Sequence, residues 1–340
     1  MKKTFRFILA VACWAYLTLL FGWLAVYLTT GERNGAIAIV NLLAVYLFLP
    51  LPLVILGSIF LRRASLLSIS GIAVAAFLWI WGSVLLPQPT PVHAVDSLLT
   101  VMTFNVLGWQ ENASPQIEVI RAEGTDVVLL QELNLTLATA VQRELLADYP
   151  FQVLDPQEGV TGMGVISKFP IHLTGERLPL NWVSTPQVLD MDWKGREVTL
   201  VNFHAIPTTS WDIEQIQEQS RYRVAQAQAL VELSRRSGPL IVAGDANDTP
   251  LGDAYRTIAG ELNDAWIDAG FGLGHTFPGS DLPGSSRPRL WGWPVPKWLM
   301  RIDYIFYSPP WEAAAAHTAR FDGVSDHRGV VASLEWKGGK

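Results

Sequence analysis

The stretch Leu240-Ile241-Val242-Ala243-Gly244-Asp245-Ala246-Asn247-Asp248-Thr249-Pro250 decides the reading of this chain. Its four leading apolar residues make a short buried strand, and Gly-Asp-x-Asn turns the chain at the strand's carboxyl end. Asp245 and Asn247 therefore stand where open α/β folds keep their chemistry. Taken alone, the pair would serve an Asx turn equally well. The balance shifts because other strand-like segments also end in groups able to bind a cation or move a proton: Asn105, Glu132, His204, and Asp303 with Asp326-His327.

The 340 residues are 50% hydrophobic and 16% charged, which is too apolar for an ordinary soluble enzyme. The excess lies at the start of the chain. No charge falls between Arg6 and Glu32, between Arg33 and Arg62, or between Arg63 and Asp96. Each gap can hold the ~20 apolar residues of a membrane-spanning helix. Spans are expected near residues 7–28, 36–60 and 65–86. A cleaved signal peptide would account only for the first.

Lys2, Lys3 and Arg6 precede the first span, and Arg62-Arg63 separates the second from the third. The positive-inside rule puts both groups in the cytoplasm and everything after the third span outside. Three regions follow: a membrane domain at 1–86, a stiff Pro-rich linker at 87–97, and a catalytic domain at 98–340. Six of the 25 basic residues and one of the 31 acidic residues lie before Gln88, which leaves 19 and 30 beyond it, a net of −11. That sign does not favour tight binding to a polyanion, although a local patch or a bound metal can reverse it at a site. The single cysteine, Cys13, falls within the first span, so no internal disulfide staples the outer domain.

In chain order, residues 98–106 read as a strand bearing Asn105, and 127–132 as a buried strand tipped by Glu132. Residues 188–193 and 197–203 read as a hairpin that delivers His204. A long helix is expected at 211–236, ahead of the Asp245 strand, and shorter ones at 115–123, 135–146 and 254–262. Residues 270–296 read as a long Gly/Pro/Trp-rich loop. Strands at 301–307 and 328–336 bring Asp303 and, at the entry to the second, Asp326-His327.

Thr103-Phe104-Asn105, Gln131-Glu132, Asn202-Phe203-His204, Gly244-Asp245-Ala246-Asn247, Arg301-Ile302-Asp303-Tyr304 and Ser325-Asp326-His327 follow one another in a meaningful order. The chain from about residue 98 to 336 thereby resembles the endonuclease/exonuclease/phosphatase superfamily, the group of deoxyribonuclease I, apurinic endonucleases, neutral sphingomyelinases and inositol-polyphosphate 5-phosphatases. The three spans ahead of it resemble a membrane-bound bacterial branch. The resemblance implies an α/β fold of the α+β kind: a four-layered α/β/β/α sandwich of two packed mixed sheets, preceded by three transmembrane helices.

Phosphodiester hydrolysis needs an in-line nucleophile and neutralisation of charge on the phosphoryl oxygens. Hard oxygen donors suit Mg²⁺, or Mn²⁺ in its place, and no Cys/His cluster of zinc spacing is present. Glu132 is the expected metal ligand, with the amide oxygen of Asn105 beside it. Asp245 is expected to orient and deprotonate water, and Asn247 to bind that water or a phosphate oxygen. His327 is assigned to the developing charge or to proton transfer, with Asp303 fixing its tautomer. The resemblance implies a metal-site or water-shell role for Asp326. It also implies contact of His204 with the phosphate or leaving group, although the sequence does not locate the glutamate that partners the matching histidine in the nuclease branch.

His93, His172 and His317 stand outside any motif, while His275 lies in the long loop, where it could line the site. The tryptophans of residues 291–298 suit loop packing, base stacking or contact with a bilayer.

The expectation is a multi-pass protein of the cell (inner) membrane, its catalytic domain extracytoplasmic, hydrolysing a phosphoester of nucleic acid or of a phospholipid headgroup. No obligate protein partner is inferred. The alternative is a non-catalytic envelope binding protein on the same scaffold, which would have no need of so many converging site groups. A transporter is disfavoured by the lack of ionisable residues inside the spans.

Overall fold

The computed structural model describes residues 2–86, 97–210 and 212–338. The linker up to Asp96, with His93, and Trp211 at the expected start of the long helix lie outside the described residues.

Four helices open the chain: α1 (Lys2–Thr30), α2 (Gly35–Leu42), α3 (Leu51–Leu61) and α4 (Ala64–Leu85). Among the described residues, three stretches are long and apolar enough to cross a membrane, Lys3–Arg33, Ala44–Leu61 and Ala64–Leu85. The second differs from the continuous helix expected over 36–60. Asn34 caps α2 by accepting from the Ala36 N–H. That helix ends at Leu42, and a 3₁₀ segment, Ala44–Phe48, leads to α3. Pro50 and Pro52 at the start of α3 lack the N–H that a continuous helix needs. The buried Asn41 side chain is also occupied elsewhere, by Trp23 and Glu32. Composition alone conceals such a break, because both halves are apolar.

Arg6 donates to the Leu61 carbonyl at 3.1 Å, so the basic N-terminus and the Arg62-Arg63 turn share one end of the bundle. The other end, with Glu32 and Val84, meets the second part of the chain.

That part begins with β1 (Leu98–Asn105), α5 (Ser114–Glu123), β2 (Val127–Gln131), α6 (Leu135–Glu144), β3 (Phe151–Asp155) and β4 (Met163–Ser167). It continues through β5 (Ile171–Leu173), β6 (Ser184–Trp193), β7 (Arg196–His204), α7 (Ile213–Ser234), β8 (Leu240–Asp245), α8 (Asp253–Ala259), β9 (Asn263–Asp264) and α9 (Ala265–Ala269). A small hairpin, β10 (Arg289–Leu290) and β11 (Trp293–Pro294), precedes β12 (Asp303–Tyr307), β13 (Trp311–Thr318) and β14 (Val330–Trp336).

One sheet runs β13-β14-β1-β2-β4-β3 and the other β5-β6-β7-β8-β12-β9. Each is mixed, with one parallel pair, β1/β2 and β7/β8 respectively. The period-2 alternation of strand side chains makes the layers. Val101, Val127 and Leu129 share the core between the sheets with Ile241, Ala243 and Ile305. Met102, Phe104, Val128 and Leu130 face the other way, onto α5 and α6. Val242, Tyr304 and Phe306 pack against Leu230 of α7 and Tyr255 of α8. The result is the expected α/β/β/α sandwich, with the carboxyl ends of both parallel pairs on the same edge.

Candidate active site

In the first sheet, Asn105 ends β1 directly opposite Gln131, and Glu132 follows. In the second, His204 ends β7 opposite Asp245, and Asp245 in turn faces Asp303 across the antiparallel β8/β12 pair. The two edges are joined through the middle of the sandwich. Gln131 Nε2 donates to Asn202 Oδ1 at 2.7 Å, and Asn202 Nδ2 donates to the Leu130 and Gly164 carbonyls. A buried polar bridge of this kind fixes register as well as distance, since a slipped pairing would leave its groups unsatisfied.

Gly244 has a steric role. A Cβ there would lie 1.9 Å from the Phe203 carbonyl oxygen, so only glycine lets β8 approach β7 closely enough to set Asp245 beside His204. Glu132 and Asn247 both adopt left-handed backbone, with φ +58° and +50°. Asparagine tolerates this conformation, but for glutamate it is strained and has to be held by its surroundings. Here Gly108 N–H donates to Glu132 Oε2 at 3.2 Å and Asn105 Nδ2 to Oε1 at 3.0 Å.

The same Asn105 amide group donates to Asp245 Oδ2 at 3.2 Å, while its oxygen accepts from the Leu107 N–H. Asp245 Oδ1 accepts from the Asn247 N–H at 2.8 Å. Asn247 Nδ2 donates to the Ala205 carbonyl, fastening the turn to the end of β7. His327 shares a 2.8 Å hydrogen bond from Nδ1 to Asp303 Oδ2, and its Nε2 lies 3.7 Å from Asp245 Oδ2. His204 Nε2 is 3.6 Å from that oxygen. Asp326 accepts from the Ser286 N–H at 2.6 Å, and the Phe277 ring lies 5.0 Å from the His327 ring. Ser325 Oγ donates to the Asn105 carbonyl and accepts from the His327 N–H, tying β1 to the final motif.

Electrostatics follows from burial. Asp245 is pushed up to about 8 by desolvation and by Asp303, against the pull of His327. Glu132 rises to about 7 through desolvation and the nearby Asp326 charge. Asp326 is also raised, by burial first. Burial opposes the charge on His327, but Asp303 and Asp245 outweigh it and hold the ring well above its ordinary value, as an imidazolium. His204 goes the opposite way, to about 3, because it is desolvated and faces His327.

All eight predicted site residues thus converge on one edge. Among the described residues, no Lys or Arg lies within ion-pair distance of Glu132, Asp245, Asp303 or Asp326. The buried carboxyl groups of Glu132, Asp245, Asp303 and Asp326 form an oxygen donor set suited to a hard cation. Asp245, Asp303 and His327 also offer one ligand atom each within 4.8 Å of one another and could hold a metal ion.

The Endonuclease/Exonuclease/phosphatase family model matches residues 102–327. The chain belongs to the endonuclease/exonuclease/phosphatase family. Similar solved structures include an endonuclease/exonuclease/phosphatase from Beutenbergia cavernae DSM 12333, with 24% identity, 71% of this chain and 72% of that one covered, and a TM-score of 0.54. Truncated TDP2 from Caenorhabditis elegans gives 18%, 70%, 98% and 0.54 for the same quantities. D. rerio TDP2 complexed with single strand DNA product gives 18%, 70%, 99% and 0.52. At these identities the likeness concerns the fold alone. No curated protein matches the chain.

Family membership agrees with the order of motifs, and His275 and three tryptophans find their places outside the cluster. His275 Nδ1 donates to the Trp298 carbonyl at 2.8 Å and lies 3.4 Å from the Tyr46 hydroxyl of the membrane segment. The tryptophans divide: Trp298 packs on Phe321 under Arg328, whereas Trp291 and Trp293 on the β10/β11 hairpin are 90% and 78% exposed. Gln131, Asn202 and Ser325 were part of the recognised motifs, but their work as connectors between sheets is visible only in three dimensions.

Proposed function

We propose that the chain is a membrane-anchored, divalent-metal-dependent phosphodiester hydrolase. The carrying observation is the arrangement of Asp303, His327 and Asp245: a carboxylate holds Nδ1 of an imidazolium whose Nε2 is directed at a second, buried carboxylate. A base raised to about 8 is poised near working pH. Asp245 takes the proton of a water attacking phosphorus in line with the leaving oxygen, and Asn247 fixes the turn that aims it. The His327 imidazolium faces the charge that builds on the phosphoryl oxygens. His204, held neutral, contributes a hydrogen-bond donor.

Glu132 would hold Mg²⁺ (or Mn²⁺), with Asp326 in the surrounding shell, and the bound cation would neutralise phosphate charge. We favour Glu132 over the Asp245, Asp303 and His327 group because Asp303 holds His327 as an imidazolium, which has no lone pair to give a metal. Asn105 presents NH₂ to Glu132, so it ligates through oxygen only if its amide turns over; as it stands, it holds the two carboxylates together.

The three apolar helices anchor residues 98–340 to a bilayer. The basic end, Arg6 with Arg62-Arg63, faces the cytoplasm, and the hydrolase lies outside the inner membrane. A phospholipid headgroup is the preferred substrate, on account of the anchor, the net charge of −11 and the exposed Leu290, Trp291 and Trp293. Nucleic acid is the second reading, favoured by the DNA product in the similar D. rerio structure. The test is full-length protein in nanodiscs given Mg²⁺ and, in parallel, phosphocholine or phosphoglycerol lipids, plasmid DNA and RNA, with Asp245→Ala as control. Headgroup release by the parent alone supports the first reading; nucleic-acid cleavage by the parent alone moves the assignment to the second.

A further inference from the structure

Glu32, in the turn between α1 and α2, is 3% exposed. Its backbone N–H donates to Asp253 Oδ2 at 3.0 Å, and the Asp253 N–H returns a bond to Glu32 Oε2 at 3.2 Å. Ser220 Oγ of α7 donates to the same Glu32 oxygen at 3.1 Å, and Asn41 Nδ2 reaches the other at 3.4 Å. These partners are 188 and more residues away along the chain, apart from Asn41, so the contact is a clasp between the membrane segment and the hydrolase.

The clasp closes on the elements that carry the catalytic groups. Asp253 opens α8, whose first turn is gathered by Asp248: its Oδ2 accepts from the Ala254 and Tyr255 N–H groups, both at 3.0 Å. Asp248 directly follows Asn247. On α7, one turn after Ser220, Arg223 donates to Thr208 Oγ1 and the Ile206 carbonyl, holding the loop that leaves His204. The corner has no slack, since a Cβ on Gly35 would meet the Ile213 carbonyl oxygen at 2.2 Å. A second contact lies nearby: Tyr46 donates to the Leu299 carbonyl at 3.2 Å, in the segment leading to Asp303.

We propose that Glu32 is a positioning residue for the hydrolytic site, so that the turn between the first two helices completes the active-site architecture instead of merely tethering it. A buried carboxyl group costs desolvation that an apolar residue at a helix corner would avoid, and that burial, with Asp248 nearby, pushes Glu32 up to about 8. Here that cost is met by bonds that set the angle of α8 and, through Asp248, the turn of Asp245 and Asn247. The inference rests on the phosphodiesterase reading of that site.

The experiment uses the full chain in nanodiscs with Mg²⁺ and bis-p-nitrophenyl phosphate, a minimal phosphodiester. Glu32→Ala is expected to lower kcat about tenfold to a hundredfold at unchanged KM, the scale of a small misplacement of reacting groups. Glu32→Gln keeps an acceptor for Asp253 and Ser220 and is expected to recover most of the loss. Amide exchange in residues 248–255 should quicken in the alanine variant and not in the glutamine one. If Glu32→Ala does not fold, Ser220→Ala, which removes one bond, should show a smaller fall in kcat with the same faster exchange. Parent protein that leaves the probe intact overturns the phosphodiesterase reading, and this inference with it. An active parent whose Glu32→Ala variant keeps the same kcat overturns this inference alone.

Discussion

Asn105 gives its side-chain NH₂ to two carboxylates from different sheets, Glu132 at 3.0 Å and Asp245 at 3.2 Å. One amide thus sets the distance between the group assigned to the cation and the group assigned to water. Replacing it by alanine leaves two buried acids without their shared donor. Asn105→Ala should lower kcat/KM about a hundredfold, the usual scale for a preorganised donor, with the circular dichroism spectrum unchanged. A loss smaller than threefold would show that the bridge is dispensable.

Asp303 determines both the tautomer and the charge of His327. In Asp303→Asn the imidazole loses its anionic partner, so the ring pKa should fall toward the ordinary histidine value, and turnover at neutral pH should drop by about 10³-fold or more. Histidine-selective NMR titration of parent and variant reads the first effect directly. The sign of the linkage is fixed by the raised value. The stabilising contribution of His327 is complete below the unfolded pKa of about 6.5 and is lost as pH rises through the folded one.

His204 carries the opposite linkage. The folded state keeps it neutral down to about 3, while the unfolded chain takes up a proton near 6.5. Stability attributable to this residue is therefore present above about 6.5 and lost as pH falls toward 3. His204→Asn should shift the acid-unfolding midpoint, followed by tryptophan fluorescence, to lower pH. A midpoint unchanged or higher would mean that the ring is not held neutral.

Gly244→Ala tests the close approach of β7 and β8. With the Phe203 carbonyl oxygen 1.9 Å from the added carbon, the strands have to separate. Overpacking of this kind costs about 1–3 kcal/mol or more. The expected result is a lowered thermal midpoint together with loss of turnover, because Asp245 and His204 move apart.

Much of the candidate site is legible in the sequence because its residues stand at strand ends. Val127 to Leu130 and Leu240 to Ala243 are unbroken apolar runs, and the carboxylates that stand just beyond them, Glu132 and Asp245, have no reason to be there for the core. The strands that sequence did not reveal are of another kind. β13 contains Ala313-Ala314-Ala315-Ala316, whose strand propensity is poor, and it forms only because β14 offers an edge to pair with. β3 and β5 are edge strands with part-exposed residues, so their alternation is weak. The break between α2 and α3 was hidden by uniform hydropathy, with Asn41, Pro50 and Pro52 as the only local signals. In the sequence Glu32 is only the charge that ends the first apolar gap. Its partners, Ser220 and Asp253, belong to no motif, and only folding brings them within hydrogen-bond reach.

The most direct test of the central claim is metal-dependent turnover of a simple phosphodiester by the whole protein. Full-length chain in nanodiscs, stripped with EDTA and then resupplied with Mg²⁺ or Mn²⁺, is assayed for p-nitrophenol release from bis-p-nitrophenyl phosphate alongside Glu132→Gln and Asp245→Ala. The account predicts activity that returns with the cation in the parent, requires much more cation in Glu132→Gln, and is lost by about 10²–10⁴-fold in Asp245→Ala at any cation concentration. Release that is indifferent to EDTA, or equal in parent and Asp245→Ala, would contradict it.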